Sequence, residues 1–161
     1  MPERLLRWYL KRHADRLYAG RSGGFVPLPL AVPVPTAGDA VAGRAAAALA
    51  KAAQPLLVIG SQALVRAGGA ERLAAAVTQL GIPVYLSGMA RGLLGRTHPL
   101  QMRHARREAL RAADCVMLAG VPCDFRLDYG RHIRRSATLI AANRGHFGDF
   151  DPFGDFDLLF G

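Results

Sequence analysis

Two spacings of apolar residues alternate along the chain. Between residues 3 and 18, Leu6, Leu10, His13 and Leu17 recur on one helical face with Leu5, Trp8 and Tyr9 beside it. This predicts an amphipathic helix, ended by Gly20 and Gly23-Gly24. Phe25 to Pro35 interleaves apolar residues with Pro27, Pro29, Pro33 and Pro35. The prolines exclude a helix there and predict an extended linker. Thr36 reads as the N-cap of an alanine-rich helix from Ala37 to Ala53, with Val41, Ala45, Ala48 and Leu49 available to a core. Pro55 to Gly60 is a short, wholly apolar run closed by glycine, the pattern of a strand buried on both faces of a parallel sheet.

The alternation then repeats. Ala70 to Leu80 and His104 to Ala113 have helical spacing, while Pro83 to Leu86, Cys115 to Ala119 and Ala137 to Ala142 read as buried strands. Strands separated by helices imply right-handed crossovers and a parallel sheet covered on both faces. The expected fold class is therefore α/β, a Rossmann-like doubly wound parallel sheet. The organisation reads as a helix and Pro-rich linker over 1–35, the α/β domain over 36–146, and an acidic, aromatic tail over 147–161. In that tail Phe147-Gly148-Asp149-Phe150-Asp151 recurs as Phe153-Gly154-Asp155-Phe156-Asp157. It lacks calcium-loop spacing, and Phe156 to Phe160 offers at most a short edge strand.

In such sheets ligands bind outside the carboxyl ends of the strands. Here those ends carry Gly60-Ser61-Gln62, Ser87-Gly88-Met89 and Gly120-Val121-Pro122. The second opens a loop, Gly88 to Leu100, in which glycines let the backbone turn sharply and Arg91 and Arg96 offer planar forks suited to phosphate. The pattern points to a nucleotide-like partner. No G-x-G-x-x-G follows the first strand and no P-loop occurs, so the standard nucleotide fingerprints are absent.

Composition narrows the picture. A chain of 161 residues, 51% of them apolar, supports one ordinary core. No apolar run reaches the ~20 residues that span a bilayer, and the charged first residues do not resemble a secretory signal. The net charge of +9 comes mostly from arginines scattered over helical segments. With no recognised motif and no aromatic residues interleaved with a basic stripe, nucleic acid is not the expected partner. Cys115 and Cys123 lack zinc-module spacing, and Cys115 opens an apolar run as a small hydrophobe would. His98, before Pro99 and without a nucleophile or carboxylate partner in sequence, reads as a packing group, and Asp124 and Asp128 as residues that orient Arg126 by ion pairing.

Three stretches together, Pro55 to Leu64, Gly88 to Leu100 and Ala113 to Gly130, resemble the thiamine-diphosphate-dependent acetolactate synthase-like family, in particular the central domain of its 2-hydroxyacyl-CoA lyase members. The likeness is strong from Pro55 to Asn143, and Trp8-Tyr9-Leu10 and Leu17 to Gly20 extend it. The resemblance implies a three-domain enzyme whose outer domains supply the activating glutamate and a Gly-Asp-Gly motif for magnesium and the diphosphate. This chain has no Gly-Asp-Gly, and its acids before the first strand are only Glu3, Asp15 and Asp39. What it resembles is the middle domain, which in relatives holds flavin or the ADP part of coenzyme A, with the sheet expected to be incomplete at its C-terminal edge.

By resemblance the binding residues are Gly60, Ser61 and Gln62, then Gly88, Met89 and Arg91, then Gly120, Val121 and Arg126. No catalytic and no metal-ligating residue is expected in this segment. Where acetolactate synthases carry an Ile-Asp-Ile-Asp-Pro-like run, this chain reads Ile140-Ala-Ala-Asn-Arg144, without the acids that would meet a ribose. The implied function is that of a central domain, or fragment, of a thiamine-diphosphate- and magnesium-dependent carbon-carbon lyase. It would bind CoA, ADP or FAD and be inactive alone; the alternative is a stand-alone nucleotide-binding or docking module. Full-length relatives imply a homo-oligomer at the endoplasmic reticulum membrane, whereas this segment is expected to be soluble, cytoplasmic if made alone, and without membrane contact.

Overall fold

The computed structural model of the chain describes residues 3–19, 36–143 and, as backbone only, 157–158. The Pro-rich linker, the helix-ending Gly20 and Gly23-Gly24, and the Phe-Gly-Asp repeats up to Phe156 lie outside the described residues. The chain divides into two compact units, Met1–Pro33 and Val34–Gly161. The first contributes helix α1, Glu3–Leu17, braced by Arg7–Glu3 and Lys11–Asp15 ion pairs one turn apart.

The second unit carries α2 (Asp39–Lys51), β1 (Pro55–Ile59), α3 (Ala70–Leu80), β2 (Val84–Leu86), β3 (Gln101–Met102), α4 (Arg106–Ala112), β4 (Cys115–Ala119), β5 (Thr138–Ala142) and β6 (Asp157–Leu158). All strand pairs are parallel, in the order β3-β2-β1-β4-β5-β6. This is the doubly wound order, and its direction reverses between β1 and β4. On the C-terminal edge, β6 pairs with β5 through Ile140–Asp157 and Ala141–Leu158.

The apolar strands are apolar because both of their faces are covered. Leu56 and Val58 of β1, with Val116 and Leu118 of β4, pack on Leu110 of α4 and on Leu127 and Ile133 beyond β4. The intervening Leu57 and Ile59, with Val84 of β2, pack on Leu49 of α2 and Val77 of α3. Successive side chains thus enter opposite layers, as the pleat requires. Val58, Ile59, Val84, Val116 and Leu118 are fully buried, each such side chain contributing about 1.5–3 kcal/mol.

Two predicted helix starts differ from the structure. The N-cap of α2 is Gly38, not Thr36, with no side-chain cap bond, and Asp39 supplies the favourable charge in the first turn. Helix α4 begins at Arg106 and not His104, because Ala105 takes a left-handed φ of 56° that no helix continues through. The two-residue edge strand β3 carries no sequence signal of its own.

Asp114 joins the opposite edge of the sheet. Its carboxylate accepts the N–H groups of Ala53 at 2.8 Å and Gln54 at 2.9 Å, while its backbone pairs with Gln54 and Thr138. The Gln54 N–H bond, helped by that of Ala53 and by the charge of Arg134, holds this carboxyl below its usual value. A depressed folded value means that the contribution is full above the unfolded value of about 4 and is lost as pH falls through the folded one. Thermal melts of wild type and Asp114→Asn should therefore differ most at neutral pH and begin to converge only below about pH 4. A gap that stays constant down to about pH 2.5 would show that the charge has no part in it.

Candidate functional site

Three strand exits meet on the carboxyl edge of the sheet. Gly60, directly after β1, donates to Ala119 O at 2.9 Å, and Gln62 donates to Gly120 O at 3.1 Å. A Cβ on Gly60 would lie 2.6 Å from Val121 Cγ2 and 2.7 Å from Gly120 O. On Gly120, whose φ is +66°, it would overlap Ala63 N. The β1 and β4 exits therefore touch at the point where the strand order reverses, and glycine is what admits the contact.

Ser61 opens a short 3-10 turn, Ser61–Leu64, and its Oγ accepts the N–H of Met89 at 3.1 Å. Met89 lies in the 3-10 turn after β2, Gly88–Gly92, which starts from Gly88 at φ +56°. A side chain on Gly88 would overlap the Ser61 Oγ. Gly60, Ser61, Gln62, Gly88, Met89, Gly120 and Val121 thus form one contiguous set. Sequence reasoning placed the glycines at the exits, but their missing side chains make room for one another's loops.

Arg91 and Arg126 stand at the exits with exposed side chains. Arg126 is held in place: Asp124 accepts its backbone N–H at 2.9 Å and pairs with its Nη1, and the guanidinium lies 4.6 Å from the Phe125 ring centroid. Asp124 orients Arg126 as expected, whereas Asp128 does not. Asp128 pairs with His132 Nε2 at 3.1 Å, because it and Tyr129 both take a left-handed φ of 52° and the turn swings away. Met89 and Phe125 each expose 66% of their surface.

Hydrogen bonds brace the rest of the Gly88 to Leu100 loop. His98 Nδ1 accepts the Leu100 N–H at 3.3 Å, and its Nε2 lies 3.2 Å from Thr78 Oγ1, which itself donates to Ala74 O at 2.9 Å. One neutral tautomer, protonated at Nε2, satisfies all three bonds and ties the loop to α3. The Arg96 carbonyl accepts from Arg103 Nη2 at 2.7 Å, and its side chain is exposed. Both cysteines are buried; burial raises the Cys115 thiol, and burial followed by the Asp124 charge pushes Cys123 up to about 11. Burial thus disfavours the thiolate form of both.

Asn143, which sequence reasoning registered only as a missing acid, follows β5 on the same edge. Its Nδ2 donates to Val121 O at 3.0 Å, and its shielded Oδ1 has no partner.

The family model for the central domain of thiamine pyrophosphate enzymes matches residues 42–146. The 2-hydroxyacyl-CoA lyase 2 of Homo sapiens is 45% identical over 141 residues, which are 88% of this chain and 22% of that protein. The Bos taurus protein of the same name is 47% identical over the same shares. A probable acetolactate synthase of Mycobacterium bovis is 42% identical over 126 residues, 78% of this chain and 22% of the relative. The chain thus spans about a fifth of the length of these relatives.

Proposed function

The chain belongs to the family of thiamine pyrophosphate enzyme central domains, and from that premise we propose that it holds the nucleotide part of a cofactor or substrate for a carbon-carbon lyase of the 2-hydroxyacyl-CoA lyase type. The ligand is the ADP moiety of coenzyme A or of flavin dinucleotide, and the chain has no catalytic step of its own. The observation that carries this reading is the contact of the β1, β2 and β4 exits at the reversal of strand order, where open α/β sheets receive ligands.

The side chains there have matching chemistry. Arg126 uses one guanidinium nitrogen on Asp124 and keeps further N–H donors for phosphate oxygens. Arg91 adds a second exposed cation. The exposed thioether of Met89 and ring of Phe125 suit a flat heteroaromatic group. Among the described residues no three His, Cys, Asp or Glu side chains gather as metal ligands. In this reading the chain binds and orients the nucleotide part of the ligand. Among the described residues no helix is long and apolar enough to cross a membrane.

Calorimetry of the whole chain with ADP, coenzyme A and flavin dinucleotide tests the reading. Binding is expected for at least one, weakened about tenfold or more in the Arg91→Ala/Arg126→Ala double variant, since each charged hydrogen bond contributes about 1.5–3 kcal/mol. Equal affinity in the variant would remove these arginines from the site. No binding of any of the three would reject the nucleotide reading.

A further inference from the structure

Helix α1, Glu3–Leu17, carries an apolar face that stays exposed. None of its residues is buried, and Leu5, Leu6, Trp8, Tyr9, Leu10 and Leu17 expose between 48% and 67% of their surface. A helix of a globular domain hides its apolar stripe, and a contiguous exposed patch marks an interaction surface. Alone in water a helix of 15 residues is marginal, so it gains from a surface to lie against.

At about 3.6 residues per turn, Tyr9, His13, Leu6, Leu17 and Leu10 fall within an arc of about 100°, while Arg4, Arg7 and Lys11 lie on the opposite side. Trp8, Arg12, Leu5 and Arg16 line one border between the two. There the Arg12 guanidinium sits 5.6 Å from the Trp8 ring centroid. The helix has five Arg or Lys against two acids, and both acids are engaged within it: Glu3 pairs with Arg7 at 2.6 Å and Asp15 with Lys11 at 2.9 Å. Among the described residues Arg4, Arg12 and Arg16 have no carboxylate partner.

These features select among the surfaces that could cover the helix. A second copy fits poorly. Helix α1 is only about 22 Å long, so its stripe buries much less than the ~800 Å² per partner of a stable interface, and its excess of cations would repel that of a second copy. An anionic bilayer meets each requirement: leucines enter the boundary of the acyl chains, Trp and Tyr rings sit at headgroup level, and Arg and Lys extend to the charged headgroups. We propose that α1 is an interfacial helix whose Leu6, Leu10 and Leu17 face lies in the surface of a negatively charged lipid bilayer, with its arginines and Lys11 on the headgroups. Crossing a bilayer takes about 20 apolar residues in a row, and no described helix is long and apolar enough for that; lying on one takes only a face of this kind.

Trp8 is the only tryptophan in the chain, so its fluorescence reports on α1 and not on the rest of a basic protein. The whole chain is titrated with phosphatidylcholine vesicles that contain about 30% phosphatidylserine, and with pure phosphatidylcholine. Trp8 emission is expected to move to shorter wavelength, with partition into the anionic vesicles about tenfold or more stronger than into the neutral ones and weakened by salt. Leu6→Gln/Leu10→Gln, which keeps good helix formers, should bind the anionic vesicles about tenfold or more weakly than wild type. No Trp8 shift with the anionic vesicles, equal partition into both, or undiminished binding by the variant would each overturn the proposal. An equal shift with poly-glutamate would assign α1 to an acidic protein instead. A dimer seen by sedimentation equilibrium without lipid, and lost in the variant, would assign it to a second copy; either result also overturns the bilayer. The comparison of the two lipids on wild type is decisive even where the variant does not fold.

Discussion

Gly120→Ala is expected to destabilise the chain by about 3 kcal/mol or more, a loss visible as a large drop in the urea midpoint. Two penalties add at this position. The backbone φ of +66° lies in the left-handed region that an L side chain enters at a cost of about 1–2 kcal/mol. The new Cβ would also overlap Ala63 N and come within 2.9 Å of Gln62 C and 3.0 Å of Ala63 Cα. These neighbours are backbone atoms of the turn after β1, so no rotamer change relieves them. Relief requires the β1 and β4 exits to separate, which breaks the Gln62 N–H bond to Gly120 O and opens the candidate site.

Gly92→Ala is the matched control. It has no neighbour within 4 Å of its added Cβ and no positive φ, and should stay within about 0.5 kcal/mol of wild type. A Gly120→Ala midpoint indistinguishable from that of Gly92→Ala would refute the close packing of the exits.

The second large effect is in the core. Leu118→Ala should cost about 3–5 kcal/mol, against a total stability of about 5–15 kcal/mol for a domain of this kind. Leu118 is fully buried in β4, which lies between β1 and β5, and its side chain belongs to the cluster with Val58, Val116, Leu110 and Leu127. Both neighbouring strands are pinned by backbone ladders, so the surroundings cannot collapse into the void. Val65→Ala, at a side chain that is 56% exposed, should change stability by no more than about 0.5 kcal/mol. Equilibrium denaturation of the two variants checks the contrast; a Leu118→Ala loss below about 1 kcal/mol would mean that this layer repacks freely.

The elements most readily read from the sequence were those whose signal is local. Cys115–Ala119 and Ala70–Leu80 appear in the structure with the bounds their apolar spacing predicts. The starts of α2 and α4 shifted because Gly38 and Ala105 adopt conformations set by the connections they serve and not by their own preference. Strand β3, two residues containing a glutamine, exists only because β2 offers it a parallel edge. Within the site, the glycines and arginines were visible from their place after the strands. That His98 would brace α3, that Asp128 would turn to His132, and that Asn143 would hold an unpaired acceptor were not.

Periodicity depends on neighbours a few residues apart, so the linear order of residues was enough to specify the α/β alternation, the doubly covered sheet and the carboxyl edge that carries the exits. Contacts between residues far apart in the chain follow a different rule. The placement of β1 beside β4, of Gly120 against Ala63, of Ser61 beneath Met89 and of Asn143 on Val121 arises only when separate strands are brought into register. Those pairings depend on the packing of whole layers and on the absence of single Cβ atoms, which no local spacing encodes.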